Sequence, residues 1–223
     1  MTDEQSGPAP DAPALSAGES LAAHTIFGAR LDLAHRFVGH LATSGIERGL
    51  LGPREVPRLW SRHVLNCAVV AELMGQDAKV VDVGSGAGLP GLAIAIARPD
   101  LHLDLVEPLE RRVVWLNEVV DDLGLNNVTV HRARAEQVIG AVRGKYVTAR
   151  AVSALSTLVG WTLPLAEVGG EVLAIKGRSA AEEIGKARQQ IRRLGGGAAQ
   201  VVLVGETVLE DPTTVVRIPA RSA

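Results

Sequence analysis

The chain has 223 residues, 47% of them hydrophobic, and a formal net charge of −2, enough length and apolar content for one α/β domain with a well-buried core. One cysteine and six aromatic residues exclude an internal disulfide and a cysteine-rich zinc site, and leave the interior to Val, Leu, Ile and Ala. Four of the acids, Asp3, Glu4, Asp11 and Glu19, fall in a Pro/Ser/Ala-rich leader, so the remainder is slightly basic and the overall charge neither excludes nor requires an RNA partner.

Residues 1–18 are poor in bulky apolar groups and rich in Pro and Gly, which predicts a disordered leader. They lack the basic start and apolar core of a signal peptide, and no apolar run in the chain is long enough to span a bilayer. A cytoplasmic protein is expected, in keeping with the lone Cys67. Residues 19–223 are read as a single domain, helical over 19–77 and Rossmann-like over 78–223. From Leu21 to about Leu73 the pattern is helical, and Phe27, Leu31, Ala34, Val38 and Leu41 recur at spacings of four and three. That spacing places them on one core-facing helix stripe, with Arg30 and Arg36 pointing elsewhere.

After Ala78 short apolar runs alternate with helical windows. The strand candidates are 79–84, 101–107, 127–132, 146–152, 171–177, 200–206 and 213–219. The clearest helix lies over 109–123, where Leu109, Val113, Leu116, Val120 and Leu123 keep the helical spacing. Alternating strands and helices predict an α/β fold with a mostly parallel, doubly wound sheet. Only a short turn region separates the last two strands, which predicts an antiparallel edge pair. In 186–195 the basic residues read as a solvated helix face opposite Ile184, Ala187, Ile191 and Leu194.

The turn after the first of these strands, Gly84 to Gly91, sits where a doubly wound sheet binds its ligand. Its letters fit two motifs. Gly86-x-Gly88-x-x-Gly91 satisfies a dinucleotide fingerprint, whereas Asp82-x-Gly84-x-Gly86-x-Gly88 satisfies the acidic strand-end turn of S-adenosylmethionine (SAM) enzymes. Asp82 would repel a pyrophosphate and attract a sulfonium, unless its carboxylate caps the loop amides. Glu107 ends the second strand, where an acid accepts hydrogen bonds from ribose hydroxyls in either reading. Glu136 follows the third strand, where a loop would meet an adenine, although it suits the first turn of a solvated helix equally well. Together these positions favour SAM over NAD.

At this point the residues resemble a family. "LWSRHVLNC" (59–67), "DVGSGAGLPG" (82–91), "RAE" (134–136), "TARAV" (148–152) and "AIKG" (174–177) are similar to the bacterial small-subunit rRNA guanine-N7 methyltransferases, also called glucose-inhibited division protein B. The resemblance runs from about residue 25 to the C-terminus and implies a class I methyltransferase fold, SAM as cofactor, and as substrate a guanine in the 530 loop of 16S rRNA or of the small ribosomal subunit. It maps SAM contacts onto Gly84, Leu89, Ala135, Glu136 and Arg150, beside the Asp82, Gly86, Gly88 and Glu107 already singled out. Guanine N7 carries an in-plane lone pair and loses no proton on methylation, so no general base is expected. Arg150 and Lys176 are the candidates to hold guanine O6 or a phosphate. Arg62, His63, Arg134 and Lys176 are the RNA-contact candidates, with Arg54, Arg58, Arg132, Arg143 and Lys145 as further phosphate contacts. No metal site is expected. Two other readings stand beside this one: an NAD(P)-dependent oxidoreductase, for which Tyr146 is the single tyrosine and has no Lys four residues on, and a non-catalytic RNA-binding assembly factor.

Overall fold

A computed structural model describes residues 12–150 and 153–221. Most of the expected leader, and the last two residues of the "TARAV" stretch, lie outside the described residues.

Helix α1 (Ala17–Phe27) begins inside the segment expected to lack structure. Ser16 supplies the reason: its Oγ accepts from the Glu19 N–H at 3.2 Å while Glu19 Oε2 accepts from the Ser16 N–H at 2.8 Å, a reciprocal cap that satisfies two free helix-end donors. Gly28, at φ +50°, ends α1, so the apolar stripe is carried by two helices joined by a 3-10 turn (Gly28–Arg30) rather than by one. On α2 (Leu31–Ala42), Ala34, Phe37, Val38 and Leu41 are buried. After α3 (Ser44–Glu47) the chain winds through a 3-10 stretch (Pro53–Arg58), a π-helical turn (Leu59–Leu65), α4 (Asn66–Ala68) and a second 3-10 stretch (Val69–Leu73).

Seven strands follow: β1 (Lys79–Val83), β2 (His102–Glu107), β3 (Val128–Arg132), β4 (Gly144–Arg150), β5 (Ala166–Ile175), β6 (Gln200–Val204) and β7 (Thr213–Pro219). Helices α5 (Gly91–Ala97), α6 (Glu110–Leu123), α7 (Leu155–Thr162) and α8 (Ala180–Arg193) follow β1, β2, β4 and β5, whereas among the described residues only a 3-10 turn (Ala135–Gln137) lies between β3 and β4 and no helix between β6 and β7. The sheet order is β3-β2-β1-β4-β5-β7-β6. All neighbours pair parallel except β7, which runs antiparallel to both β5 and β6. The reversed strand therefore lies one place in from the edge, and β6 is the edge strand.

Successive side chains on a strand point to opposite faces, and here both faces are covered. Val80 joins an apolar cluster with Phe37, Trp60, Leu92 and Trp115, while its neighbour Val81 joins a second cluster with Val147, Leu158 and Ile191. The N-terminal helices, α5 and α6 thus share one core with one face of the sheet, and α7 and α8 cover the other. The chain turns to β2 and β3 on one side of β1 and to β4 and β5 on the other, so the crevice at the carboxyl ends opens between β1 and β4, the place where such sheets bind ligands.

Candidate functional site

Packing of the glycine turn onto β1 and β2 gives the site its shape. Gly84 N–H donates to the Val106 carbonyl at 2.8 Å, and Gly88 N–H to the Ser85 carbonyl at 2.7 Å. A Cβ on Gly88 would stand 2.4 Å from Leu92 Cδ1, and one on Gly91 would stand 2.3 Å from Leu105 Cδ2 and 2.7 Å from Asp82 Oδ2. No side chain fits at either position, which is why the turn needs glycine there. Gly88 and Gly91 serve the packing beneath the turn, whereas Gly84, Gly86 and Leu89 line the cavity above it.

Asp82 belongs with the packing. It is completely buried; its Oδ2 accepts from the Gly91 N–H at 3.0 Å and its Oδ1 from Thr148 Oγ1 at 3.2 Å. Burial pushes its carboxyl up to about 6, against the pull of the bonds from Ser85, Gly91 and Thr148. The carboxylate does not line the cavity. Of the two roles open to Asp82 in the sequence, the hydrogen bonds are those of the cap: it holds the turn from below.

Glu107 is also buried, at 1% exposure, but it lines the cavity. Its Oε2 accepts from Gly86 N–H and its Oε1 from Leu109 N–H, both at 3.0 Å. Arg112 approaches Oε2 at 3.6 Å. Each carboxylate oxygen has a second lone pair, so hydroxyls of a bound ligand can still be accepted. The cavity encloses about 650 Å³, within the ordinary range for a small-molecule site. Ala135, Glu136, Arg134 and Arg150 complete its wall, as their places after β3 and at the end of β4 predict. Arg112 and Trp161 also line it and were not singled out from the sequence. Arg112 stands in the first turn of α6, the helix that follows the strand-ending Glu107, a place that could have flagged it. Trp161, one of only three tryptophans, has no neighbouring motif that marks it.

Arg150 is half-buried and held from behind. Its Nη1 donates to the Arg62 carbonyl at 3.3 Å, and its Nη2 to His63 Nδ1 at 2.7 Å. His63 Nε2 meets Glu55 Oε2 at 2.7 Å. His63 is buried in the π-helical turn and does not line the cavity, so it is a support and not a surface RNA contact. The Cys67 thiol beside Arg150 is pushed up to about 11 by burial and stays neutral. Arg62 is exposed, 3.8 Å from Glu55. Lys176 does not reach the cavity: its Nζ donates to the Ser153 carbonyl at 2.7 Å and pairs with Glu183 at 2.9 Å. Arg143 and Lys145 stand at the start of β4, the end of the sheet away from the cleft, and Arg132 pairs with Glu110 at 2.8 Å.

Tyr146, the one tyrosine a hydride relay would need, accepts from Gly75 N–H through its hydroxyl at 3.0 Å and is absent from the cavity wall. No partner for nicotinamide chemistry is left at that position. The sheet order, its reversed penultimate strand in space and an acid-anchored glycine turn define the class I methyltransferase fold. The fold is similar to that of TYW2 from M. jannaschii in complex with AdoMet (TM-score 0.57, 17% identity, 74% of this chain and 78% of that one). It also resembles a ribosomal protein L11 methylase from Lactobacillus delbrueckii subsp. bulgaricus (TM-score 0.55, 11% identity, 72% and 79%).

Residues 30–210 match the GidB family, rRNA small subunit methyltransferase G. Proteins bearing that name are 67% identical in Paenarthrobacter aurescens (strain TC1), over 92% of this chain and 94% of that one, and 52% identical in Thermobifida fusca (strain YX), over 91% and 85%. The chain belongs to this family of SAM-dependent rRNA methyltransferases.

Proposed function

We propose that the chain transfers a methyl group from SAM to N7 of a guanine in the 530 loop of 16S rRNA, acting in the cytoplasm on the small ribosomal subunit. The observation that carries this reading is the likeness to relatives named ribosomal RNA small subunit methyltransferase G over 204 residues, joined to a cavity whose residues suit SAM. Glu107 would take the ribose hydroxyls; Gly84, Gly86, Leu89, Ala135 and Glu136 would frame the nucleoside; Arg150 would take the amino-acid carboxylate. SAM, when bound, would supply a methyl group on a sulfonium: the N7 lone pair would bond to the methyl carbon in line as the carbon–sulfur bond breaks and the neutral thioether leaves.

What the chain's own residues contribute is placement. N7 loses no proton, so the wall of the cavity needs no base, and neither the neutral Cys67 nor the engaged Lys176 has to serve as one. The exposed guanidinium groups of Arg134 at the cavity wall and Arg62 nearby fit RNA phosphates. Residues 19–223 would work as one catalytic unit. Tritiated SAM incubated with this protein and ribosomal RNA from a strain lacking the gene tests the reading: label in 16S rRNA supports it, and label only in other RNA or none overturns it.

A further inference from the structure

The "LWSRHVL" stretch is wound as a π-helix, a rare form that recurs at functional sites, yet none of its side chains lines the cavity. Its contact with the site runs through Arg150. An arginine guanidinium donates and never accepts. With Arg150 Nη2 only 2.7 Å from His63 Nδ1, that nitrogen must present a lone pair, and the imidazole must be neutral with its proton on Nε2. Nε2–H then donates to Glu55 Oε2 at 2.7 Å, and Glu55 selects the tautomer that Arg150 requires.

We propose that His63 is a positioning residue for the methyl-donor site: as the neutral Nε2–H tautomer, oriented by Glu55, it holds the Arg150 guanidinium at the cavity wall through its Nδ1 lone pair. The proposal rests on the reading of the cavity as the SAM site. Six groups face the imidazole or its partners: the Glu55 carboxylate, the Arg58, Arg62 and Arg150 cations, the buried Cys67 thiol and, beyond Arg150, the Asp82 carboxylate. Burial and the Arg150 cation hold His63 below the ordinary histidine value, outweighing Glu55. Protonation in acid would set an N–H against a guanidinium, replacing a hydrogen bond by donor–donor and like-charge contact. Arg150 would then lose one of its two anchors.

The test is SAM affinity measured by calorimetry from about pH 8 to about pH 5. His63→Leu should weaken binding by about tenfold or more, and in an Arg150→Ala background the same change should add almost nothing. His63→Asn, whose side-chain oxygen reaches the place of Nδ1 and cannot be protonated, should restore affinity to within about threefold. It should also remove the acid-side fall of the wild type, and a fall of the same size retained in the Asn variant would overturn the proposal. Equal losses from His63→Leu with and without Arg150, or an Asn variant no better than Leu, would overturn the proposal. The tautomer has its own readout in the 15N shifts of the His63 ring near neutral pH. A protonated Nδ1 would overturn the proposal even in a protein that bound no SAM, whereas failure to bind SAM with the expected tautomer would overturn the ligand assignment of the cavity.

Discussion

Two regions carry several charged groups each, the cleft at the carboxyl ends of the strands and the outer face of α8, and they treat those groups differently. In the wall of the cleft Glu107 and Arg150, and directly behind it Asp82 and His63, each have at least two fixed partners. On α8, Lys186 pairs only with Glu182 four residues back, both well exposed, and among the described residues Arg188, Arg192 and Arg193 are exposed without an acidic partner. Surface cations of that kind contribute little to stability. Buried ions without partners are too costly to persist, so where the chain buries charge it also fixes geometry.

The largest effect that this contrast predicts is at Glu107. Glu107→Ala removes the proposed acceptor for ligand hydroxyls and strands the N–H groups of Gly86 and Leu109, so SAM affinity should fall by about 3 kcal/mol, somewhat more than 100-fold. Calorimetry checks this, and a loss below tenfold would place Glu107 among the purely structural acids.

Asp82 sharpens the comparison through pH. Its carboxyl titrates near 6 in the fold, above the unfolded value, so the native state binds the extra proton between about pH 4 and 6. Its contribution is fully present below the unfolded value and is lost as pH rises through about 6. Asp82→Asn keeps an acceptor for Gly91 N–H and cannot ionise. Urea unfolding should show the variant gaining on wild type by about 3 kcal/mol from pH 4 to pH 7, and a constant difference would contradict the burial account.

Arg150→Ala should reduce kcat/KM for methyl transfer by about 30-fold, roughly 2 kcal/mol. The smallest effect belongs to the other region: Arg192→Ala on α8 should change methyl transfer less than about twofold and stability by less than about 0.5 kcal/mol. A large loss at Arg192 would break the contrast between the two regions.

The seven strands, the glycine turn and the helix over 110–123 were legible because apolar period and glycine spacing report backbone and burial directly. Asp82 and Glu107 show the limit. Both are acids at strand ends next to the same turn, yet which one lines the cavity depends on whether the side chain lies under the turn or beside it. The Glu55–His63–Arg150 chain was hidden for another reason: it joins a 3-10 stretch, a π-turn and a strand end through contacts 8 and 87 residues apart. Lys176 misled because a lysine just past β5 could equally face the cleft or, as it does, Glu183.

The central claim is that the cleft between β1 and β4 holds a sulfonium nucleoside and not a pyrophosphate. Calorimetric titration of the protein with SAM, its demethylated product and NAD measures this directly. The account predicts that SAM and the demethylated product bind and NAD does not; NAD binding more tightly than SAM would contradict it.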